Sequence, residues 1–265
     1  MSVLLQVSDP HFGTERPEVV SALERLSTTQ APDVLLLSGD ITQRATTTQF
    51  AAARAFVDRL RVPAVLAIPG NHDIPLYNLP ARLLHPYRRY TRAFGPQLEG
   101  EFESNDLLLL ALNTTRWYRH KDGEISPAQI EQVARRLQSA RPGQCRVVAM
   151  HQPVAVVLKS DHTNLLHGRE AAVRRWAGAG ADLVIGGHIH LPFVVALRDR
   201  WPDLARPVWA VQAGTALSTR VRSGAPNSVN LIHTGSVCRV ERWDYDEIAD
   251  SFTLASAVEP EIARE

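Results

Sequence analysis

The chain has 265 residues, of which 45% are hydrophobic and 22% are charged, a composition typical of an ordinary globular protein with one large core. Lys and Arg number 29 and Asp and Glu number 28, so the net charge of +1 argues against a broad binding surface for long nucleic acid, although it is compatible with a local basic patch. No apolar run approaches the length of a membrane span and the N-terminus shows no secretory signal, so we expect a cytoplasmic protein without a membrane partner.

The N-terminal part of the chain alternates short apolar strands with amphipathic helices. The predicted strands are Val3–Val7, Asp33–Ser38 and Val62–Ile68, and the predicted helices are Glu18–Leu26 and Thr46–Leu60. The second strand is apolar along nearly its whole length, as expected when both faces of a sheet are covered. The order β-α-β-α-β predicts parallel strands joined by right-handed crossovers.

Residues 76–95 break this rhythm with a mostly helical segment rich in Arg, Tyr and His. This excursion is either a solvated basic face, a lid near the site or a dimer contact. Further strands are predicted at Leu107–Leu112, Arg146–Met150 and Asp182–Ile185, and helices at Pro127–Leu137, with Ser126 as N-cap, and Arg169–Ala177. The apolar runs that follow residue 190 lack long helices between them, so we expect the strands in the second half of the chain to be more antiparallel.

The chain is expected to form a single domain over residues 1–246, followed by a C-terminal tail over residues 247–265. The two cysteines, Cys145 and Cys238, lie in or beside apolar runs, which predicts buried thiols and no disulfide framework.

Polar residues of the types that bind metal ions follow five of the predicted strands. They are Asp9 and His11, Asp40, Asn71 and His72, His151, and His188 and His190. One such residue is explained by turn chemistry, as for Asp9 before Pro10. In open α/β sheets, however, ligands bind at the carboxyl ends of the strands. The repetition therefore predicts that these side chains meet at one site.

These residues combine carboxylates, imidazoles and one amide, and they include no thiolate, which disfavours a structural zinc–cysteine site. There are too many of them for one tetrahedral ion. Two ions about 3.5–4 Å apart that share a bridging carboxylate would use them well. Nitrogen and oxygen ligands suit manganese, iron or zinc, and the general order of metal affinities does not choose among these three.

The set of motifs resembles that of the calcineurin-like metallophosphoesterases. The matching stretches are Asp9-x-His11, Gly39-Asp40, Gly70-Asn71-His72-Asp73, His151 and Gly187-His188-Ile189-His190. A later run, from Gly214-Thr215-Ala216 through Arg220-Val221-Arg222 to Pro226-Asn227-Ser228, is similar to bacterial class III 3′,5′-cyclic nucleotide phosphodiesterases. The chain departs from many relatives at Ile41-Thr42-Gln43-Arg44, where those relatives carry an acidic residue.

The resemblance implies an α/β fold in which a two-sheet β-sandwich is flanked by helices, in four layers α/β/β/α. The implied ligands are Asp9, His11 and His190 for one metal ion and Asn71, His151 and His188 for a second, with Asp40 bridging both. His72 would contact the substrate phosphate or protonate the leaving alkoxide, and Asp73 would orient the His72 ring.

The implied reaction is hydrolysis of a small phosphodiester, with a 3′,5′-cyclic nucleotide as first candidate. The same chemistry on a nucleotide-sugar lipid, a glycerophosphodiester or an organophosphate is left open, with specificity then located in residues 76–95, 159–168 and 214–227. A nuclease is disfavoured by the near-neutral charge. A metal-binding docking scaffold without turnover is the alternative from another class, and a homo-oligomer is also left open.

The other histidines have no comparable placement and are expected at structural or surface positions: His85, His120, His162, His167 and His233. His162 and the neighbouring Asn164 are the best exceptions, because they lie in the long loop after His151. Arg220 and Arg222 are expected either to steady a phosphodiester anion or to form exposed salt bridges.

Overall fold

The computed structural model describes residues 1–222 and 224–263. Two six-stranded sheets lie face to face, and helices cover the outer face of each. The strands are β1 Val3–Val7, β2 Val34–Ser38, β3 Ala64–Ile68, β4 Gly100–Glu103, β5 Leu107–Ala111, β6 Cys145–Ala149, β7 Leu183–Gly186, β8 Phe193–Ala196, β9 Trp209–Gln212, β10 Ser228–His233, β11 Arg239–Asp246 and β12 Ser251–Val258. The helices are α1 Pro17–Gln30, α2 Thr47–Leu60, α3 Leu79–Leu84, α4 Arg88–Phe94, α5 Pro127–Gln138 and α6 Arg169–Ala177.

The first sheet has the strand order β12-β11-β10-β1-β2-β3. Its three N-terminal strands are parallel, which confirms the β-α-β-α-β prediction. The three C-terminal strands join this sheet in antiparallel pairs, with β10 lying beside β1. The chain thus begins and ends in the same sheet, a pairing across the whole sequence that no local pattern indicates.

The second sheet has the strand order β4-β5-β6-β7-β9-β8. Its four central strands are parallel and its two edge strands are antiparallel to their neighbours. The expected antiparallel character of the second half is therefore limited to the edge strand β8 and the C-terminal strands. The edge strand β4 was not predicted, because its short polar sequence is mostly exposed.

Alternation of side chains along the strands produces the three largest apolar clusters of the described residues. Leu4 and Leu36 point between the sheets, where they meet Leu109 and Val147 of the second sheet. The residues next to Leu4 and Leu36 along their strands point to the opposite face of the first sheet, where they pack under α1 and α2. A corresponding cluster around Trp176 lies between the second sheet and helices α5 and α6. The layers are therefore α/β/β/α, as the resemblance implied.

Both cysteines are buried in the layer between the two sheets, as predicted. The sulfur atoms of Cys145 and Cys238 are 4.0 Å apart. A disulfide bond requires about 2.05 Å, so no disulfide links the sheets.

The residues 76–95 are mostly helical, as predicted, and form α3 and α4. Helix α4 packs on α2 through Tyr90, whose ring lies 6.2 Å from that of Phe50 and whose hydroxyl donates to the Ala67 carbonyl. Helix α3 leaves Leu79, Leu83 and Leu84 exposed. The choice between a lid and a dimer contact stays a prediction.

The C-terminal segment is not an appended tail over its whole length, and this corrects the expectation for residues 247–265. Residues Ser251–Val258 form β12, which pairs with β11 through a tight connection. The Asp246 carboxylate accepts hydrogen bonds from the amides of Ile248 and Ala249 in that turn. An Asp at the first position is a turn signal that marks this hairpin.

No helix in residues 1–222 and 224–263 is both long enough and apolar enough to cross a bilayer. The cytoplasmic location expected from the sequence stays a prediction.

The packing between the sheets predicts a large loss of stability for Leu36→Ala. Leu36 is fully buried, and replacing a buried leucine by alanine costs about 2–5 kcal/mol through lost burial and the cavity left behind. Urea unfolding followed by tryptophan fluorescence measures this loss. The matched control is Leu254→Ala on β12, where the side chain is 47% exposed and the expected change is within about 0.5 kcal/mol. Equal losses in the two variants would contradict the layer assignment.

Candidate metal centre

The carboxyl ends of β1, β2, β3, β6 and β7 meet at one end of the sandwich. The strands are parallel within each sheet, so their following loops lie side by side. The loops carry the residues predicted from the sequence: Asp9 and His11 after β1, Asp40 after β2, Asn71 and His72 after β3, His151 after β6, and His188 and His190 after β7. The structure brings all eight together, although their roles as ligands stay a prediction.

Five of these residues have a left-handed backbone conformation, with φ of 51° at Asp9, 44° at His11, 48° at Asp40, 74° at His188 and 56° at His190. Such a conformation costs a non-glycine residue about 1–2 kcal/mol. Residues held in this region cluster at functional sites, where the surrounding structure over-determines them. The loops therefore turn sharply to aim these side chains at one point.

Two glycines allow the loops to approach each other closely. A Cβ atom at Gly187 would collide with the side chains of Ser8 and Asp9, and one at Gly70 would collide with the backbone and carboxylate of Asp40. The glycines of the two motifs are thus required by the space beside the buried carboxylates.

One group of donors consists of Asp9, His11 and His190. The Nε2 atoms of His11 and His190 are 3.1 Å apart, and His190 Nε2 is 3.3 Å from Asp9 Oδ1. His190 Nδ1 donates to the Arg220 carbonyl at 2.7 Å, so the Nε2 lone pair faces the group. A hydrogen bond of this kind from the second ring nitrogen is typical of metal-binding histidines.

A second group consists of Asp40, His151 and His188. His151 Nε2 is 3.3 Å from Asp40 Oδ1 and 3.3 Å from Asn71 Oδ1. His151 Nδ1 donates to the Ser38 carbonyl at 2.9 Å, so its Nε2 atom faces the group. Both ring nitrogens of His188 are buried without a hydrogen-bond partner in the described chain.

Asp40 lies between these two groups, and it forms a third group with His11 and His72. Its Oδ1 faces His151, while its Oδ2 is 3.8 Å from His11 Nε2 and 4.0 Å from His72 Nε2. Its side chain is almost fully buried, and the His72 amide donates to its Oδ1 at 2.8 Å. One carboxylate oxygen is thus directed to each group.

The protonation states of the buried carboxylates and imidazoles favour binding of a cation. Burial acts to raise the pKa of Asp40, but the His151 and His72 rings outweigh it and hold the pKa of that carboxyl well below its usual range. Burial lowers the pKa of His11 to about 3 and that of His188 to about 3, so both rings are neutral at pH 7. Neutral imidazole and ionised carboxylate are the forms that bind metal ions.

The residues fit divalent metal ions. The set comprises carboxylates, imidazoles and an amide oxygen, and both His188 nitrogens are buried without hydrogen-bond partners in the described chain. A buried polar atom without a partner is costly, and a bound cation would provide that partner.

His72 is oriented by Gln43 and not by Asp73, which corrects the sequence expectation. His72 Nδ1 is 3.0 Å from the Gln43 carbonyl oxygen, which only accepts, so this nitrogen carries the hydrogen. Its Nε2 faces the Arg220 guanidinium at 3.2 Å, and the same guanidinium nitrogen donates to Gln43 Oε1 at 2.9 Å.

The Asp73 carboxylate instead joins two loops. It accepts hydrogen bonds from the amides of Ile41, Thr42 and Gly70 and from the Thr42 hydroxyl. Burial, with a further contribution from Asp40, raises the pKa of Asp73 to about 6. Thr42 and Gln43 belong to the stretch that departs from many relatives. Thr42 holds Asp73 through its amide and hydroxyl, whereas Gln43 holds His72 through its backbone carbonyl.

A cleft of about 600 Å³ opens over the two donor groups. Its walls include Arg220, Arg222 and Asn164, and Arg222 is paired with Asp161 at 2.8 Å. His120 also lines the cleft, although the sequence placed it among the structural and surface histidines. The wall residues that the sequence missed are Gln43, Arg44, His120 and Lys121.

Comparison with known proteins agrees with this arrangement. Residues 2–192 match the sequence pattern of the family described as calcineurin-like phosphoesterase. A protein of Synechococcus sp. named "Probable cyclic nucleotide phosphodiesterase" is 29% identical over 172 residues, which cover 62% of this chain and 60% of that protein. The match therefore spans less than two thirds of the relative.

Two solved structures show the same fold. A dimetal phosphatase from Danio rerio superposes with a TM-score of 0.67 at 12% identity, over 99% of each chain. GAP50, described as the anchor in the inner membrane complex of Plasmodium, has a TM-score of 0.62 at 12% identity, over 100% of this chain and 90% of its own. At these identities the likeness concerns the fold alone.

The contacts of Asp73 predict that Asp73→Asn destabilises the protein by about 1–3 kcal/mol, because an amide nitrogen would then face backbone donors. Urea unfolding measures the loss, and manganese titration measures the accompanying drop in metal affinity. Thr42→Val, which removes only the hydroxyl contact, is the milder companion variant with a loss of about 1 kcal/mol. Unchanged stability together with slower turnover would instead support an orienting role toward His72.

Proposed function

Because the chain belongs to the calcineurin-like phosphoesterase family, we propose that it is a phosphodiesterase with a binuclear metal centre. Family membership supports a phosphoesterase of the hydrolase class. The observation that carries the finer proposal is Asp40, which directs one carboxylate oxygen toward each of two donor groups. A bridging carboxylate between two ions is the arrangement used in two-metal hydrolysis.

The proposed ligands follow the first two donor groups described above. They are Asp9, His11 and His190 for one ion, Asn71, His151 and His188 for the other, and Asp40 for both. When bound, two such ions supply Lewis-acid stabilisation to the phosphoryl oxygens and make water a nucleophile at neutral pH. Manganese, iron and zinc all suit the donors, and reconstitution decides among them.

Two side chains above the donor groups are placed to act on the substrate. Arg220 carries no carboxylate partner in the described chain, so its guanidinium is available to a phosphoryl oxygen. The His72 ring holds its Nδ1 hydrogen on the Gln43 carbonyl, and its Nε2 faces the cleft. In the protonated ring, Nε2 would deliver a proton to the leaving alkoxide.

A 3′,5′-cyclic nucleotide is the first candidate substrate. The name of the Synechococcus relative supports it, as does the resemblance carried by residues 214–228. In the structure this run builds the loop that presents Arg220: Asn227 donates to the Ser218 carbonyl at 2.9 Å, and Thr215 donates to the Arg220 carbonyl at 3.2 Å. The part of the chain that carries the resemblance thus positions a cation over the cleft.

A metal-binding docking scaffold is the second candidate, because GAP50, which shares the fold, is described as an anchor. An anchoring role would not require His72 and Arg220 to be held over an open cleft. These two residues therefore favour turnover, and hydrolysis assays distinguish the two functions.

The first test is hydrolysis of bis(p-nitrophenyl) phosphate by metal-stripped protein restored with manganese, iron(II) or zinc. We expect two metal ions per chain and metal-dependent hydrolysis. Asp40→Ala should abolish turnover and lower the metal content, because both groups lose a shared ligand. His72→Ala should keep the metal and lower kcat by about 10²–10⁴-fold, the usual contribution of a general acid.

The control for these variants is His167→Ala, because His167 is an exposed histidine 3.5 Å from Asp122 and outside the cleft. It should retain wild-type metal content and turnover. If the restored wild-type protein binds metal but cleaves neither this activated diester nor any cyclic nucleotide, the scaffold function replaces the enzymatic one.

Arg220→Ala should lower kcat/KM by about 10- to 100-fold, since a hydrogen bond to a charged group contributes about 1.5–3 kcal/mol. The metal content should be unchanged, because His190 is held by the backbone carbonyl of Arg220 and not by its side chain. Arg220→Lys should recover part of the loss, because it keeps the charge but not the forked donor geometry. Loss of metal in Arg220→Ala would show a structural role instead.

A further inference from the structure

Two further cavities continue from the cleft along the excursion of residues 76–95. The first, which we call the annex, has a volume of about 380 Å³ and shares Arg44, Asn71, His72 and Leu76 with the cleft. The second, the outer cavity, has a volume of about 450 Å³ and shares Pro75, Asn78 and Arg89 with the annex. A substrate group beside His72 therefore has a continuous path over the surface.

The annex and the outer cavity are lined by cations without acidic neighbours. Arg44 and Arg89 line the annex, and Arg88, Arg89 and Arg92 line the outer cavity. No Asp or Glu within residues 1–222 and 224–263 lines either cavity, and none of these four arginines has a carboxylate partner in that part of the chain. The contact of Arg89 is with the Ala45 carbonyl at 2.9 Å, which leaves its charge unneutralised.

This concentration of charge is local. The whole chain has a net charge of only +1, and both arginines of the neighbouring helix α2 are paired, Arg54 with Asp58 and Arg59 with Glu24. Unneutralised guanidinium groups in adjoining cavities attract a ligand with several negative charges along its length.

An exposed aromatic ring lines the annex. Tyr77 is 78% exposed, and the Arg44 guanidinium lies 5.5 Å from its ring centroid. Beside it, Ile74, Pro75 and Leu76 give the annex an apolar wall. A positively charged groove combined with an exposed aromatic platform is the combination that binds single-stranded nucleic acid, through phosphate contacts and base stacking.

We propose that the annex and the outer cavity form a basic track for a short single-stranded oligonucleotide, so that the site also cleaves linear phosphodiesters. The inference rests on the proposed function, because it uses the same hydrolytic centre. A cyclic mononucleotide has a single phosphate, which would occupy the cleft. Its binding would therefore leave the arginines of the track without a counter-anion. The near-neutral net charge limits the ligand to a few nucleotides.

The portion on the 5′ side of the cleaved bond occupies the track. The oxygen of water forms a bond to phosphorus, and the bond from phosphorus to O3′ breaks with its electron pair remaining on O3′. That oxygen takes a proton, so the products are a fragment with a free 3′-hydroxyl and a fragment with a 5′-phosphate. The phosphates of the 5′ portion face Arg44, Arg89, Arg88 and Arg92, and a base stacks on Tyr77.

The test compares the unphosphorylated dinucleotide ApA with the 5′-phosphorylated trinucleotide pApApA, on protein restored with manganese. Each rate is normalised to the same preparation's hydrolysis of bis(p-nitrophenyl) phosphate. We expect kcat/KM to be at least tenfold higher for pApApA. In the double variant Arg88→Ala, Arg92→Ala this preference should disappear. The slope of log kcat/KM against log salt concentration should fall by up to about 0.7 for each arginine removed.

Two controls separate the track from general charge and from folding. Arg135→Ala removes one exposed positive charge on α5, outside the track, and should keep the preference for pApApA. Tyr77→Phe should also keep it, while Tyr77→Leu should weaken binding of 3′-fluorescein-labelled pApApA to metal-free protein, measured by fluorescence anisotropy without turnover. A stacked base contributes about 1–3 kcal/mol, which corresponds to about a 5- to 150-fold change in Kd.

Equal rates for ApA and pApApA, or an unchanged salt slope in the double variant, would overturn the track and leave the phosphodiesterase intact. Competition by tripolyphosphate as strong as that by unlabelled pApApA would also overturn it, because any polyanion would then suffice. Absence of bis(p-nitrophenyl) phosphate hydrolysis with metal restored would contradict the proposed function itself, and anisotropy would still report on the track.

Discussion

Burial of two carboxylates at the end of the sandwich is the constraint on which the site depends. Asp9 is fully buried and Asp40 nearly so. Removing an ionised carboxylate from water costs several kcal/mol unless opposite charge and hydrogen bonds replace the water. Imidazoles and backbone amides meet part of this demand, with the His188 amide donating to Asp9 at 2.9 Å and the His72 amide to Asp40 at 2.8 Å. Divalent cations would meet the remainder.

The same constraint explains why both sheets are needed. The first sheet supplies Asp9, His11, Asp40 and Asn71, and the second supplies His151, His188 and His190. Each donor group therefore draws on both sheets, so a bound ion would link them. Polar bridges already cross the interface near the site, as Gln6 donates to the Gly186 carbonyl at 3.0 Å and His151 to the Ser38 carbonyl at 2.9 Å. A centre built on sheet ends in this way holds its side chains more rigidly than one built on loops alone.

What was predictable from the sequence followed from short-range patterns. The parallel strands that carry the motifs have dense apolar runs, and each ends in a polar residue of a recognisable type, so residues such as Asp40 and His188 were identified. Strand β4 and the pairing of β10 with β1 were not predicted, because neither has a strong local signal and the second joins residues far apart in sequence. The Gln43 carbonyl was missed as the partner of His72 because a backbone contact leaves no side-chain signature. Asp73 was given the wrong contact, since adjacency in sequence does not show which way a side chain points.

The sheet ends and the excursion of residues 76–95 differ in how much substitution they tolerate. At the sheet ends, a Cβ atom at Gly70 would collide with Asp40, so the donor groups tolerate little variation. Helix α3 is exposed, and Leu83 and Leu84 have few neighbours to satisfy, so substitutions there cost little stability. Substitutions in the excursion can therefore change the charge of the neighbouring cavities without disturbing the donor groups. The arginines of α4 that have no carboxylate partner in the described chain lie in this excursion, so in the proposed track they would set the substrate preference while the donor groups stay the same.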